Sequence, residues 1–501
     1  MSASPPPCRA SLLHRWGRIR SCRLGARVLA TVMLGGCAVG PDYQRTQVAI
    51  PERFKEATEG WKPARPSDHH ERGVWWAVFE DPTLSALEER VALANQTVAG
   101  FEAAYRRARA LVAQARAGAY PVLGASASVG RSRGRGRGTG ADAGATSVGN
   151  DYSLALDASW EPDLWGRVRR QVAGAKASAQ SAAANLANAK LSAQALLAQS
   201  YFQLRAADAT QQLLDDIVLA YQRTLTLTQN RYEQGVAART DVLQARTQWL
   251  LARAAAAENE IARAQLEHAI AVLVGEPASS FAIVREPLRA TPPEIPAQLP
   301  SSLLERRPDI AAAERAAAAA NEQIGIAISA FFPSLTLSAS GGFSSLTLAH
   351  WLSAPALVWS LGPQLVATLL DGGLRAAQTE AARAEYDQSV ANYRQTVLAA
   401  FQDVEDTLVS LRMLEQEVAL QEEGVQSARQ VVDIVTNQYK AGTATYLDVI
   451  VAQTTAFGAE QKLVSIRGQR MVAAVGLIKA LGGGWDARQL GTAPPKETKP
   501  R

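Results

Sequence analysis

The sequence predicts an α+β membrane protein made of two equivalent halves, each combining long helices with one pair of short amphipathic strands. Three observations carry this expectation. A segment reading Asn230-Arg-Tyr232-Glu-Gln-Gly235-Val236-Ala237-Ala-Arg-Thr240-Asp241-Val242-Leu-Gln-Ala245 returns, without a gap, as Asn437-Gln-Tyr439-Lys-Ala-Gly442-Thr443-Ala444-Thr-Tyr-Leu-Asp448-Val449-Ile-Val451-Ala452. The alignment runs on at the same offset to Gly275 and Gly482. Duplication on this scale points to two structural repeats. Secondly, two stretches of about 70 residues carry no internal proline. Thirdly, four short segments alternate apolar and polar residues with a period of two, the spacing of a strand.

The chain has 501 residues, 47% hydrophobic but only 6% aromatic. Much of the apolar content is alanine, which suits helices packed closely through small side chains. The formal charge of +5 suggests an anionic partner. However, residues 1–36 hold Arg9, Arg15, Arg18, Arg20, Arg23 and Arg27 with no acidic residue, so the remainder is close to neutral and a nucleic-acid partner is not expected. A basic start, an apolar run over 28–34 and small residues before a cysteine make 1–36 a signal peptide. Leu34-Gly35-Gly36-Cys37 resembles the bacterial lipobox, in which the cysteine is lipidated and becomes the mature N-terminus. Cys8 and Cys22 fall in the removed piece, so Cys37 stands alone and no disulfide forms within one mature chain. By the same resemblance, Ala38 after the cysteine favours outer-membrane sorting.

Residues 37–80 form the lipidated N-terminal segment, rich in proline and tryptophan and expected to be extended. The first repeat covers 81–290. Asp81-Pro82-Thr83 opens a helical pattern that runs to about 117, with proline in the first turn. A long helix is expected over 163–233, roughly 100 Å at about 1.5 Å per residue. Gly235 then reverses the chain into a shorter helix over 239–274. A proline-rich linker, 291–302, leads to the second repeat, 303–485, with helices over 371–440 and 446–481 joined at Gly442. Residues 486–501 are expected to be a disordered tail. Helices this long suit a bundle or tube.

Strands are expected over 122–130 and 152–160 in the first repeat and over 334–340 and 357–365 in the second. Tyr152, Leu154, Leu156, Ala158 and Trp160 oppose Ser153, Ala155, Asp157 and Ser159, and the other three alternate in the same way. An amphipathic strand in a soluble sheet has this pattern too. In an exported, lipid-bearing chain it fits membrane-spanning strands with one greasy and one wet side. Four strands cannot close a membrane barrel, and an open edge in lipid leaves backbone groups unsatisfied. Any barrel must therefore be shared between chains.

At this point the chain resembles the TolC-like outer-membrane factor family, most closely its lipidated OprM/NodT-type efflux branch. The resemblance rests on Cys37-Ala-Val-Gly-Pro-Asp-Tyr43, Leu303-Leu-Glu-Arg-Arg-Pro-Asp-Ile310, Phe332-Pro-Ser-Leu-Thr-Leu337, Asp371-Gly-Gly373 and the two duplicated tips. It implies a homotrimer with a 12-stranded outer-membrane β-barrel, a 12-helix periplasmic α-barrel and a mixed equatorial region. The implied function is a passive exit duct that docks with a periplasmic adaptor and an inner-membrane pump, of RND type, with outer-membrane lipid around it. A type I secretion duct, or a structural periplasmic coiled-coil lipoprotein, are the competing expectations.

The resemblance also implies roles for particular residues. Gly235, Val236, Ala237, Gly442, Thr443 and Ala444 form the adaptor-contacting tips. Asp241 and Tyr439 match a gate latch, a charge-assisted hydrogen bond of about 1.5–3 kcal/mol. A packing tyrosine and a helix-start carboxylate explain the same two residues equally well. Asp448 and Val451 match the constriction ring, where many relatives carry aspartate at the second position. The partner of a second family latch is missing, because Ala444 stands where an arginine is usual. The tract Arg131-Ser-Arg133-Gly-Arg135-Gly-Arg137-Gly138 is expected to be an external loop. No catalytic motif, cofactor site or metal site is expected: His69, His70, His268 and His350 have no ligand spacing, and there is no P-loop or nucleophile elbow.

Overall fold

A computed structural model describes residues 38–51, 53–56, 74–135, 146–288, 291–293 and 306–485. The expected signal peptide, Cys37, the linker beyond 293, the histidines at 69 and 70 and the tail 486–501 lie outside the described residues. In chain order the elements are α1 (Pro82–Ala94), α2 (Gln96–Ala117), β1 (Val122–Arg135), β2 (Thr146–Trp160), α3 (Arg167–Glu233) and α4 (Arg239–Leu273). The second half supplies α5 (Pro308–Ser329), β3 (Ser334–Ser345), β4 (Leu357–Val366), α6 (Leu374–Ala441) and α7 (Tyr446–Ala480). The chain divides into two compact units. One takes the described residues of Met1–Arg45, Ala108–Ala179 and Ala316–Ser389, the other those of Thr46–Arg107, Gln180–Arg315 and Val390–Arg501.

The first unit holds the strands, which form one antiparallel sheet in the order β1-β2-β3-β4. Its register aligns the expected faces across all four strands. Ala127 lies opposite Leu154, Leu154 opposite Phe343 and Phe343 opposite Leu357. One residue along, Ser128 faces Ser153, Ser153 faces Ser344, and Ser340 faces Ser360. Because side chains alternate with period two, this register makes one face apolar from Leu123 to Val129 and across their partners, and the other mostly small and polar. The strands run past their expected ends, β1 to Arg135, β2 from Thr146, β3 to Ser345 and β4 to Val366. β1 continues past Gly130 through Arg135, paired to a β2 that begins at Thr146. Backbone hydrogen bonding carries the ladder through a stretch whose hydropathy no longer alternates. The arginine tract is therefore strand as far as Arg135, and its remainder lies outside the described residues.

In the second unit a core cluster gathers Trp76, Phe79, Leu84, Tyr201, Phe202, Ile270 and Met471, all buried. Asp81 caps α1 as expected, accepting from the Leu84 N–H at 2.9 Å, and Tyr201 donates its hydroxyl to the other carboxylate oxygen at 2.6 Å. The single helix expected over 81–117 is two helices. Asn95 leaves helical geometry at ψ 120°, its side-chain oxygen accepts from Val98 N–H at 3.0 Å, and its amide donates to the Leu273 carbonyl at 2.8 Å. An asparagine that satisfies the next helix's first donors ends one helix and starts another. Helix α5 lies where the sequence analysis names no element, although Pro308 at its first position and the alanine run over 311–313 are helix signals.

The segment after α4 is pinned by a buried ion cluster. Arg263 donates to Asp208 Oδ1 at 2.7 Å and to the Ile283 carbonyl at 2.8 Å, while Arg205 donates to the Val284 carbonyl at 2.7 Å. Asp208 Oδ2 accepts from Glu286 N–H at 3.1 Å. Each charge is matched, as burial requires. Glu88 on α1 is the contrast. It is fully buried, and neither carboxyl oxygen has a hydrogen-bond partner among the described residues. Burial pushes its pKa from 4.5 up to about 9. The unfolded chain then loses the proton at lower pH than the folded one, so stability is full below the ordinary carboxylate range and falls as pH rises toward about 9. Glu88→Gln is expected to flatten that decline in denaturant melts taken between pH 5 and 9; an unchanged slope would assign it to another group.

The two long helices α3 and α6 contain 67 and 68 residues. They end in the same turn. Gly235 at φ 76° and Gly442 at φ 79° sit in the left-handed region. Val236 N–H returns to the Arg231 carbonyl at 2.8 Å and Thr443 N–H to the Gln438 carbonyl at 2.9 Å. This is the Schellman closure, and only glycine adopts its positive φ without penalty. The duplication read in the sequence is thus a duplicated helix stop.

Candidate functional site

Two surfaces have the chemistry that the sequence singles out. The first is the sheet. Its apolar face is exposed within this chain, with Trp359 and Leu361 each 77% exposed. On the opposite face the hydroxyls of Ser128 and Ser153 pair at 2.7 Å and those of Ser340 and Ser360 at 2.8 Å. Aromatic rings stand at both ends of the strands. Tyr152 meets Trp351 at 6.1 Å near the hairpin end. At the other end Trp165 stacks on Phe332 at 4.8 Å, and Trp160 Nε1 donates to the Ala119 carbonyl at 3.1 Å. An apolar band between aromatic girdles is the surface of a lipid-facing strand sheet. No described helix is long and apolar enough to cross a membrane. Strands β1 and β4 are the sheet's edges, each paired on one side only.

The second surface is the pair of helical tips in the second unit. Val236 is 63% exposed, and Gly235, Gly442 and Thr443 are exposed with it, while Ala237 and Ala444 are half-buried. Behind them Tyr439 is buried, its ring 5.6 Å from that of Tyr446 and packed with Ala245 and Val449. Within the chain the structure does not join Tyr439 to Asp241. The Tyr439 hydroxyl is buried with no hydrogen-bond partner among the described residues, and Asp241 occupies the first turn of α4. Asp241 still acts on the cluster. Burial first, then the nearby Tyr439, Tyr221 and Asp241, push Tyr446 above the ordinary phenol range.

Arg231, which the sequence reading passed over, braces this site. Its Nη1 donates to the carbonyls of Tyr439 and Lys440, each at 3.3 Å, and its guanidinium lies 4.7 Å from the Tyr439 ring centre. Carbonyls at a helix end lack helical donors, so a cation there is favoured. Gln438 stands at the equivalent place in the second copy, so the brace runs in one direction, from the first repeat to the second. A basic residue in the last turn of a helix was the available signal; its target on another helix was not visible.

Asp448 and Val451 lie one turn apart on α7, both exposed. Asp448 closes a capping box: its Oδ2 accepts from the Thr445 hydroxyl at 2.6 Å and from the Thr445 N–H at 2.9 Å. Those two bonds, the hydroxyl first, hold its pKa below the usual carboxylate range, so the charge persists as the pH falls. Among the described residues no group of three or more His, Cys, Asp or Glu side chains is placed to hold a metal ion.

Comparison with known proteins places these surfaces in context. The family model described as "outer membrane efflux protein" matches residues 87–276 and 299–483, one match per repeat. The pyoverdine export outer membrane protein OpmQ of Pseudomonas aeruginosa is 31% identical over 474 residues, covering 93% of this chain and 98% of that protein. The toluene efflux pump outer membrane protein TtgC of Pseudomonas putida is 31% identical over 459 residues, covering 90% and 94%. Among solved structures, the outer-membrane channel OprN matches with a TM-score of 0.83 at 28% identity, covering 90% of this chain and all of that one.

Proposed function

Because this chain belongs to the outer membrane efflux protein family, we propose that three copies of it close one barrel and act together as a passive exit duct. At the family's level its role is that of an outer-membrane channel of a tripartite efflux system, with a helical extension into the periplasm. The single observation that carries the shared barrel is a four-stranded sheet with a continuous apolar face and two edges unpaired within the chain. In hydrocarbon every unsatisfied backbone group costs several kcal/mol, so the edges must meet other copies. Three chains supply 12 strands, the number that the family resemblance implies. A periplasmic spacer would have no use for such a face.

The finer assignments follow from this frame. Cys37 carries lipid and anchors the mature chain in the outer membrane. The exposed tips at Gly235-Val236-Ala237 and Gly442-Thr443-Ala444 meet a periplasmic adaptor, which couples the duct to an inner-membrane pump of RND type. With no catalysis of its own, the duct takes its energy from that pump. The latch between Asp241 and Tyr439 forms between neighbouring copies. This is supported by the buried, unpartnered Tyr439 hydroxyl, since leaving such a donor unmatched costs about 1–3 kcal/mol. Asp448 brings its carboxylate, and Val451 its apolar side chain, to a ring about the common axis, where the charge favours cations.

Mass measurement of the detergent-solubilised protein is expected to give three chains per particle, separating to one on heating. A folded, membrane-inserted monomer would contradict the shared barrel.

A further inference from the structure

Four of the five N–H donors of one guanidinium converge on the residues that follow Cys37. Arg170, near the start of α3, is 4% exposed. Its Nε donates to the Val39 carbonyl at 2.6 Å, its Nη2 to the Gly40 carbonyl at 2.8 Å and its Nη1 to the Pro41 carbonyl at 3.0 Å. The two remaining donors reach Glu322 Oε2 at 2.9 Å and Asp42 Oδ1 at 3.4 Å. Asn321 donates a second bond to the Pro41 carbonyl at 3.1 Å. Val39 N–H donates to the Trp165 carbonyl at 3.1 Å. Three consecutive carbonyls of an irregular segment are thus satisfied by one side chain. A buried guanidinium is tolerated only when its donors are matched in this way.

The seat is also shaped by absent side chains. Gly40 has φ 99°, and a Cβ on it would stand 2.6 Å from the Gly325 Cα. A Cβ on Gly325 would stand 2.1 Å from the Arg170 Cδ. The seat adjoins one aromatic end of the sheet, because Trp165, which accepts from Val39, is the ring stacked on Phe332. Girdle aromatics of this kind lie at the boundary between hydrocarbon and water.

We propose that Arg170, with Asn321, Glu322 and the gap between Gly40 and Gly325, is an intramolecular receptor for the first residues of the mature chain. It seats Ala38–Asp42 at the aromatic girdle, so that acyl chains on Cys37 enter the membrane beside the strands of the same molecule. The anchoring half of this proposal rests on lipidation of Cys37, and the seating half does not. The motif Gly40-Pro-Asp42 is then the ligand of the seat rather than a spacer. Lysine cannot replace Arg170, since one ammonium offers three donors from a point and not five from a planar fork.

The test uses the full-length protein purified from membranes, comparing wild type, Arg170→Gln and Gly40→Ala. The second variant alters only the seated segment, so it leaves the helices intact if the first misfolds. Hydrogen exchange at the Val39 amide is expected to accelerate at least tenfold in both, with amides over 190–230 unchanged. Labelled palmitate is expected to enter wild type and Arg170→Gln equally, and Cys37→Ser not at all. The yield of heat-labile oligomer is expected to fall several-fold in Arg170→Gln and in Cys37→Ser, and no further when the two are combined. Unchanged exchange at Val39 would overturn the seat, and additive losses of oligomer would overturn its anchoring role. Absence of palmitate from the wild type would remove the lipidation reading, while the exchange result would still decide the seat.

Discussion

Leu361→Arg is expected to abolish the membrane-inserted oligomer, whereas Gln364→Arg on the same strand leaves it in place. Leu361 lies opposite Ala339 on the apolar face of the sheet and is 77% exposed. Gln364 faces Thr336 on the other side. An arginine facing lipid near mid-membrane costs about 2–4 kcal/mol. That is a factor of roughly 30 to 1000 in the insertion equilibrium for each chain, and three chains incur it together. On the water-facing side the same charge is solvated and alters selectivity instead. The measurement is the amount of heat-labile oligomer in the outer-membrane fraction. Wild-type assembly of Leu361→Arg would show that this face does not meet lipid.

The gate gives the second large effect. Tyr439→Phe removes the phenol donor with little change in packing. If that donor reaches Asp241 of a neighbouring copy in the closed duct, closure weakens by about 1–3 kcal/mol, roughly five- to hundredfold toward open. Single-channel recordings in planar bilayers should then show larger or more frequent openings. Arg231→Gln acts on a different contact. It breaks the two carbonyl bonds to the end of α6 and a cation–π contact of about 0.5–2 kcal/mol. Openings in both variants would indicate that latch and brace act together. A silent Tyr439→Phe beside a leaky Arg231→Gln would assign closure to the brace within the chain. If both stay at the wild-type conductance, the exposed apolar pair Leu447 and Val451 becomes the seal.

Much of this architecture was legible because it is encoded at short range. Asp81-Pro82 announced a helix start that the structure caps through Asp81. Gly235 and Gly442 announced helix stops that the structure closes with the same turn in both repeats. The candidate site was less legible. The tip positions were found because the duplication repeats them. Arg231 escaped notice because it stands where the copies differ, and its acceptors lie on the end of another helix. For Tyr439 the sequence leaves a latch and a packing role equally open; its ring packs on Tyr446 and under Arg231, and its hydroxyl has no hydrogen-bond partner among the described residues of the chain.

The sequence by itself determined the long helices, the duplicated helix stops and the two faces of each strand, since helix and strand periodicity and glycine conformation are properties of adjacent residues. Only the tertiary structure decided where β1 ends, that Asn95 splits one helix into two, and that Arg170 gathers the carbonyls of Val39, Gly40 and Pro41. Each of those outcomes depends on matching buried or paired hydrogen-bond groups brought together from distant parts of the chain. Arg170 and Pro41 are about 130 positions apart, and no local pattern records that a donor at one will meet an acceptor at the other.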